Sequence, residues 1–245
     1  VCIAMMVPTV AFAATSSPAK VDVKSATAKS LTYNAKSQTT TIVVNGKTLT
    51  LNKDFKVVSG SLKATKAGTY TVKIKGIGNY SGDTTVKYTV NAQQSYKATA
   101  AAKTYNAKNQ TTKVTVKYGN TVLKRGTDYK ITGVTKAKNA GKYKITVKGI
   151  NNYKGTKTIY YTINKAAQKS VKVKVNASKK KITVSGVKAK AKVTYKSANK
   201  KVKVKNGKIT VGKGVKKGTK VRITVKVAAT KNYKAYSKSI IYKVK

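Results

Sequence analysis

Apolar and polar residues alternate along most of this chain with a period of two. Tyr70, Val72 and Ile74 are interleaved with Thr71, Lys73 and Lys75. Tyr143, Ile145 and Val147 are interleaved with Lys144, Thr146 and Lys148, and Val221, Ile223, Val225 and Val227 with Arg222, Thr224 and Lys226. Successive side chains of a strand point to opposite faces, so this pattern predicts strands with one face buried and the other in water. Asn45-Gly46 and Asn206-Gly207 lie between alternating runs and predict tight hairpins, because both residues tolerate positive φ. Gly119-Asn120 has the same place in a third run, and Gly68, Gly141 and Gly218 each precede a strand. Beyond the first twenty residues no segment of ten or more carries a helical apolar stripe.

The pattern is written more than once. Residues 67–91 and 140–164 align without a gap at an offset of 73, with 13 of 25 positions identical and four Val/Ile exchanges. The likeness extends upstream: "LTYNAKSQTTTIVVNGKTL" (31–49) echoes "KTYNAKNQTTKVTVKYGNTVL" (103–123), and "KDFKV" (53–57) echoes "TDYKI" (127–131). A more divergent third copy closes the chain at 218–245. The recurring marks are Tyr33 and Tyr105, Asp54 and Asp128, and the Asn-Tyr pairs that end in Tyr80, Tyr153 and Tyr233. Short strands, frequent turns and units of 70 to 80 residues predict an all-β chain of three tandem antiparallel β-sandwiches. The expected division is 25–92, 93–165 and 166–245, after an export-signal remnant at 1–13 and a linker at 14–24. The joints "VNAQQSYK" (90–97) and "INKAAQKS" (163–170) are short and polar, which predicts a semi-rigid rod. Each unit is small enough for its core to be marginal alone, with tyrosine supplying much of the bulk.

The marks also resemble a known pattern. "TYNAK", "GTDYK" (126–130), "NAGKY" (139–143) and "GINNYKG" (149–155) are similar to repeat modules of Gram-positive cell-surface proteins. The third copy, through 193–227, resembles bacterial immunoglobulin-like domains. The resemblance spans 25–245 and implies an immunoglobulin-like sandwich, an extracellular stalk, adhesion and association with the cell wall. Its motifs are turn and core residues, so they specify architecture and leave the ligand open. This chain departs from the pattern in having almost no acidic residues, and no wall-sorting motif precedes Lys245.

Composition adds the sign of the surface. There are 54 Lys+Arg against 4 Asp+Glu, a formal charge of +50, and only Arg125 and Arg222 are arginines. Lysine-rich coding bias would also bring glutamate, and there is none, so the charge is read as selected for its sign. Lysine is a hydrated point charge on a flexible stem, which favours diffuse binding over bidentate readout of phosphate or base edges. "VCIAMMVPTVAFA" (1–13) is apolar and ends in Ala11-Phe12-Ala13, as a secretory signal does, and is too short for a membrane span. The initiator methionine and a basic leading region are missing, as expected of a chain truncated at its N-terminus. The single cysteine, Cys2, lies inside that segment, so no disulfide, zinc site or thiolate nucleophile is expected in the secreted form.

Without His, Glu or a mature thiol, most catalytic devices vanish, and a non-enzyme without cofactor or metal is expected. Asp54 and Asp128 each precede an aromatic in equivalent places, which reads as a turn cap or a lysine partner. "KGIGNYSG" (75–82) precedes no helix, so it reads as a turn and not a phosphate loop. The outward lysines remain. Lys73, Lys75, Lys144, Lys148, Lys172, Lys174, Lys203, Lys205, Lys220, Arg222 and Lys226 are the candidate polyanion-binding residues. The plainer alternative is that they only keep the chain soluble, for which a net charge of magnitude ~2–8 suffices in a small domain. The expected partners are anionic polymers: teichoic acid first, then sulfated or sialylated glycans. Extracellular DNA is the alternative, with Tyr160 the one tyrosine whose neighbours predict exposure beside cations. No small-molecule substrate or membrane insertion is expected, and the chain is read as a monomer.

Overall fold

A computed structural model describes residues 18–245. The segment read as an export signal, with Cys2, lies outside them. The described residues are almost wholly β, with no α-helix and one 3-10 turn at Val23–Ser25. The chain divides into two compact units: residues up to Gln94 together with Asn151–Lys154, and Ser95–Ile150 together with Gly155–Lys245.

In the first unit a four-stranded sheet runs in the order Leu31–Thr32, Asp83–Asn91, Gly68–Gly76, Phe55–Gly60. Its long central hairpin pairs Asp83 with Lys75 and continues to Val90 with Gly68. A second sheet joins Thr27–Ala28, Ile42–Val44 and Lys47–Thr48. The core lies between these sheets, where Val23, Ile42 and Val44 cluster with Val72, Ile74, Val86, Tyr88 and Val90. Val23 is fully buried. Residues 21–24, counted with a linker on sequence grounds, therefore begin the sandwich: Val21–Asp22 pairs in parallel with Tyr80–Ser81.

The second unit repeats this plan and adds another. Lys103–Thr104, Thr156–Asn164, Gly141–Gly149 and Tyr129–Gly133 form a sheet in the same order, and Lys97–Ala100, Val114–Tyr118 and Thr121–Val122 form its companion. The C-terminal sequence builds a four-stranded sheet, Lys172–Asn176, Lys181–Ser185, Lys208–Val211, Val202–Lys205, and a three-stranded one, Val193–Ser197, Lys220–Val227, Tyr236–Lys243. Val173, Ile182 and Ile209 from one meet Val221, Ile223, Val225 and Tyr242 from the other. The fold is thus immunoglobulin-like β-sandwich, as the alternation and the resemblance predict, antiparallel except for short parallel pairings at Val21–Asp22, Leu31–Thr32 and Lys103–Thr104. Both Asn-Gly turns have positive φ at each residue, 49° and 77° at Asn45-Gly46 and 50° and 80° at Asn206-Gly207.

The repeat marks meet one another. Within the first unit the ring of Tyr153 stands edge-on to Tyr33 at 5.5 Å, and the Asn152 side chain accepts a hydrogen bond from Ala67 N–H at 2.9 Å. Gln93 N–H donates to Asn152 O, and Lys154 N–H donates to Gln93 O. Within the second unit the same four contacts recur. Tyr233 stands edge-on to Tyr105 at 5.4 Å, and Asn232 accepts from Ala140 N–H at 2.8 Å. Ala166 N–H donates to Asn232 O, and Lys234 N–H to Ala166 O. Asn152-Tyr153 and Asn232-Tyr233 are therefore clasps on the preceding copy of the sequence. "VNAQQSYK" is also more than a polar joint. Tyr96 in it is buried, donates to Gly155 O at 2.7 Å and accepts from Gly149 N–H at 3.0 Å.

Asn232→Ala removes a part-buried acceptor, together with the donor to Asn139 Oδ1 at 3.0 Å, and is expected to cost about 1 kcal/mol. That is a fall of roughly 2–4 °C in Tm for a unit of this size, measured by calorimetry. Asn79→Ala, at the equivalent place in the first copy, is expected to leave Tm unchanged, because the Asn79 side chain is exposed and makes no hydrogen bond among the described residues.

Burial holds the hydroxyls of Tyr88, Tyr96, Tyr161 and Tyr195 above the ordinary tyrosine range, with Tyr70 adding to the effect at Tyr88 and Tyr143 at Tyr161. An unfolded chain releases these protons first. Their contribution is therefore constant below about pH 10 and falls as pH rises beyond it. Tyrosinate absorbance should show a late set of tyrosines that ionise together with loss of the β signal. A single ordinary titration with the fold intact would contradict this.

Candidate functional site

The pleat sorts the cations. On the first four-stranded sheet Lys56, Lys73, Lys75 and Lys87 are exposed on the outer face, and the intervening Val72, Ile74, Val86 and Tyr88 are buried. This face also carries an acid: Asp83 approaches Lys73 at 3.3 Å. Both members are about half exposed, so the pair adds little stability. It does offset one of the predicted binding lysines. The corresponding sheet of the second copy presents Lys130, Lys142, Lys144 and Lys148 with no acid. Lys144 lies directly across from Tyr160, which is 50% exposed, and the Lys142 ammonium sits 4.4 Å above that ring.

The C-terminal sequence concentrates charge further. It holds 26 of the 54 cationic residues in positions 166–245 and no acid, since the last acidic residue is Asp128. Lys172, Lys174, Lys181, Lys203, Lys205 and Lys208 share the outer face of its four-stranded sheet. Register places Lys181 opposite Lys208, and Lys208 opposite Lys205. Three ammonium-bearing residues thus sit side by side on adjacent strands, about 4.7–4.9 Å apart along the backbone hydrogen-bond direction. Like charges directly opposite are destabilising, so this row is held by the apolar layer beneath it, Ile182, Ile209 and Val202. A surface depression of about 300 Å³ lies at one end, lined by Lys179, Lys180, Lys181, Asn206 and Lys208. Lys220, Arg222 and Lys226 occupy the outer face of the companion sheet, with Lys196 and Lys243. That sheet packs on the first, so the predicted residues of this copy fall on two opposite faces.

Every predicted lysine and Arg222 is outward and exposed. The sequence reading passed over Lys181 and Lys208, which complete the densest row, and Lys56, Lys87, Lys130 and Lys142. The signal for Lys208 was present: the Asn206-Gly207 turn fixes Lys205 opposite Lys208. Lysine at an inward position also occurs. Lys157 pairs with Val147, and its ammonium lies 5.5 Å from the centre of the Tyr96 ring.

Asp54 and Asp128 act as turn caps, accepting from Thr50 N–H and Lys124 N–H, each at 2.8 Å. Among the described residues no cluster of His, Cys, Asp or Glu could hold a metal, and no helix is long and apolar enough to cross a membrane.

No protein-family model matches the chain, and no curated protein matches it in sequence. Solved structures similar to it include Drosophila N-cadherin EC1-4, at 10% identity and TM-score 0.27, covering 89% of this chain and 73% of that one. The three N-terminal domains of the bacteriophage RB49 highly immunogenic outer capsid protein Hoc match at 12% identity and TM-score 0.33, covering 90% and 97%. Sidekick-1 immunoglobulin domains 1–5 match at 12% and 0.25, and there the chain spans 58% of the other's length. Likeness at this level carries no argument about activity; the fold rests on the registers above.

With so few acids, the lysine faces repel themselves at low ionic strength. Raising salt from about 10 mM to 150 mM shortens the screening length from ~30 Å to ~8 Å. Tm is expected to rise by several degrees over that range in sodium chloride. A flat or falling response would show that the charges are already compensated.

Proposed function

We propose that this chain is a secreted, non-catalytic protein of a bacterial cell surface, of the adhesion type, which holds anionic polymers against its lysine-lined strand faces. Teichoic acid of the cell wall is the first candidate ligand, followed by sulfated or sialylated glycans. The observation that carries this reading is the row Lys181, Lys208 and Lys205 on an acid-free face. Unit charges brought to ~5 Å, the spacing of adjacent strands, repel by about 1 kcal/mol even in water. A polyanion laid across the row replaces that repulsion with attraction and releases its own condensed counterions. Solubility alone does not require such a row, because the same charges dispersed would serve. The apolar opening segment and the resemblance of 25–245 to surface repeats support export and wall association.

A second reading, binding of extracellular nucleic acid in a matrix, draws on Tyr160. It is half exposed on a lysine face, where a base could stack. Its ring is already covered on one side by Lys142, and among the described residues no α-helix is present to enter a groove. The wall polymer is therefore favoured.

The test is retention on purified cell wall, before and after chemical removal of teichoic acid. Retention is expected to fall sharply on removal, to weaken log-linearly with salt, and to drop in the Lys181→Gln/Lys205→Gln/Lys208→Gln variant. Equal retention on the stripped wall rejects teichoic acid as ligand. DNA that competes better than wall polymer at physiological salt would move the assignment to the second reading.

A further inference from the structure

The second copy of the repeat differs from the first at one hairpin, and the difference builds a groove. Equivalent places are fixed by backbone bonds: Lys29 N–H donates to Thr41 O in the first copy, and Ala101 N–H to Lys113 O in the second. Val44 and Val116 are then counterparts, and both are buried. In the first copy the chain turns at once, through Asn45-Gly46, with Val44 opposite Lys47. In the second copy Lys117 and Tyr118 intervene before the turn at Gly119-Asn120, opposite Val122 and Thr121. This added rung also lengthens the neighbouring pairing, so that Lys97 lies directly opposite Lys117, and Thr99 opposite Thr115.

The outer side of that extension is a concavity of about 450 Å³ lined by Ser95, Lys97, Thr99, Thr115, Lys117 and Gly119. Both lysines are exposed, and no acidic residue lines the groove. The size lies within the range of small-ligand sites, about 300–1,000 Å³. Two ammonium groups on directly opposed residues destabilise a strand pair unless something neutral or negative stands between them. The Thr115 hydroxyl on the same face can donate to an oxyanion, and the lysine stems and threonine methyls form apolar walls.

We propose that this groove is a distinct site for a single tetrahedral oxyanion ester, phosphate or sulfate, carried on a sugar-sized body. Lys97 and Lys117 clamp the oxyanion from either strand, and the Thr115 hydroxyl supplies a further donor, while the Thr99 hydroxyl donates to Thr115 O at 3.5 Å. The proposal deepens the polyanion reading: the lysine faces give diffuse hold, and this groove picks out one charged unit along the polymer. The hairpin insertion explains why the site belongs to the second copy, since the first has no rung on which to place the second lysine.

The experiment is a titration of the full chain with glucose 6-phosphate, glucose 6-sulfate and unmodified glucose at matched ionic strength, read by backbone amide shifts. The charged sugars are expected to give saturable shifts centred on 95–99 and 115–119, and glucose none. Response to both esters identifies a general oxyanion site, and response to one alone identifies which ester it takes. Lys97→Gln and Lys117→Gln should each weaken the dissociation constant by about tenfold, the loss of one charge-assisted hydrogen bond. Their Tm without ligand should hold or rise, because repulsion is relieved, which separates lost binding from lost fold. Shifts spread evenly over all lysine faces, or variants that bind as tightly as the parent, would overturn the site. Loss of wall retention with a responsive groove overturns only the broader reading, and wall retention with a silent groove overturns only this one.

Discussion

A pleated strand cannot hide one side chain without displaying the next. That constraint organises this protein. Each valine, isoleucine or tyrosine that enters a sandwich core places its chain neighbour in water, and antiparallel register then decides which displayed groups become neighbours across strands. Lysine at the displayed places gives cationic faces as a direct result of core formation. The arrangement is stable only because the apolar layer outweighs the repulsion, and that layer is continuous beneath the most crowded row, where Ile182, Ile209 and Val202 are buried.

Tyrosine does much of the cohesive work. With no tryptophan and two phenylalanines, the 16 tyrosines are the main large side chains. Tyr70 stacks on Tyr88 at 5.2 Å in the first copy, and Tyr143 stacks on Tyr161 at the same distance in the second. The copies differ at the hydroxyl. Tyr88 donates to Ser61 O, whereas the buried Tyr161 hydroxyl has no partner. A buried unpaired hydroxyl costs on the order of 1–3 kcal/mol, so the tyrosine stack of the second copy is the less satisfied of the two. The edge-on pairs Tyr33–Tyr153 and Tyr105–Tyr233 serve a different purpose, tying one copy of the sequence to the next.

The period of two, the Asn-Gly turns and the repeat were enough to read the sandwich and the facing of its lysines from sequence. Local pattern determines both. The exposure of Tyr160 was legible for the same reason, since Tyr161 takes the buried place beside it. Cross-strand neighbours were less legible, because they depend on register. Lys181 and Lys208 look unremarkable along the chain and become a row only when three strands align. Tyr96 lay in a stretch that read as a polar joint, and Val23 in one counted as a linker. Their burial comes from contacts far away in sequence, as when Tyr96 caps Gly149 and Gly155. The Asn-Tyr marks were visible as repetition, but their role was not, since a dipeptide's partner in another copy leaves no local trace.

The clasp has a consequence for how such a chain can lengthen. The Asn-Tyr pair that grips the preceding copy lies inside the duplicated stretch itself, and so do the tyrosine and the backbone amide that it grips. An unequal crossover that inserts one more cassette of DNA therefore brings a plug and a socket in the same event. Growth by duplication needs no separately evolved connector, which is a simple reason for the sequence to have been copied rather than extended with unrelated domains.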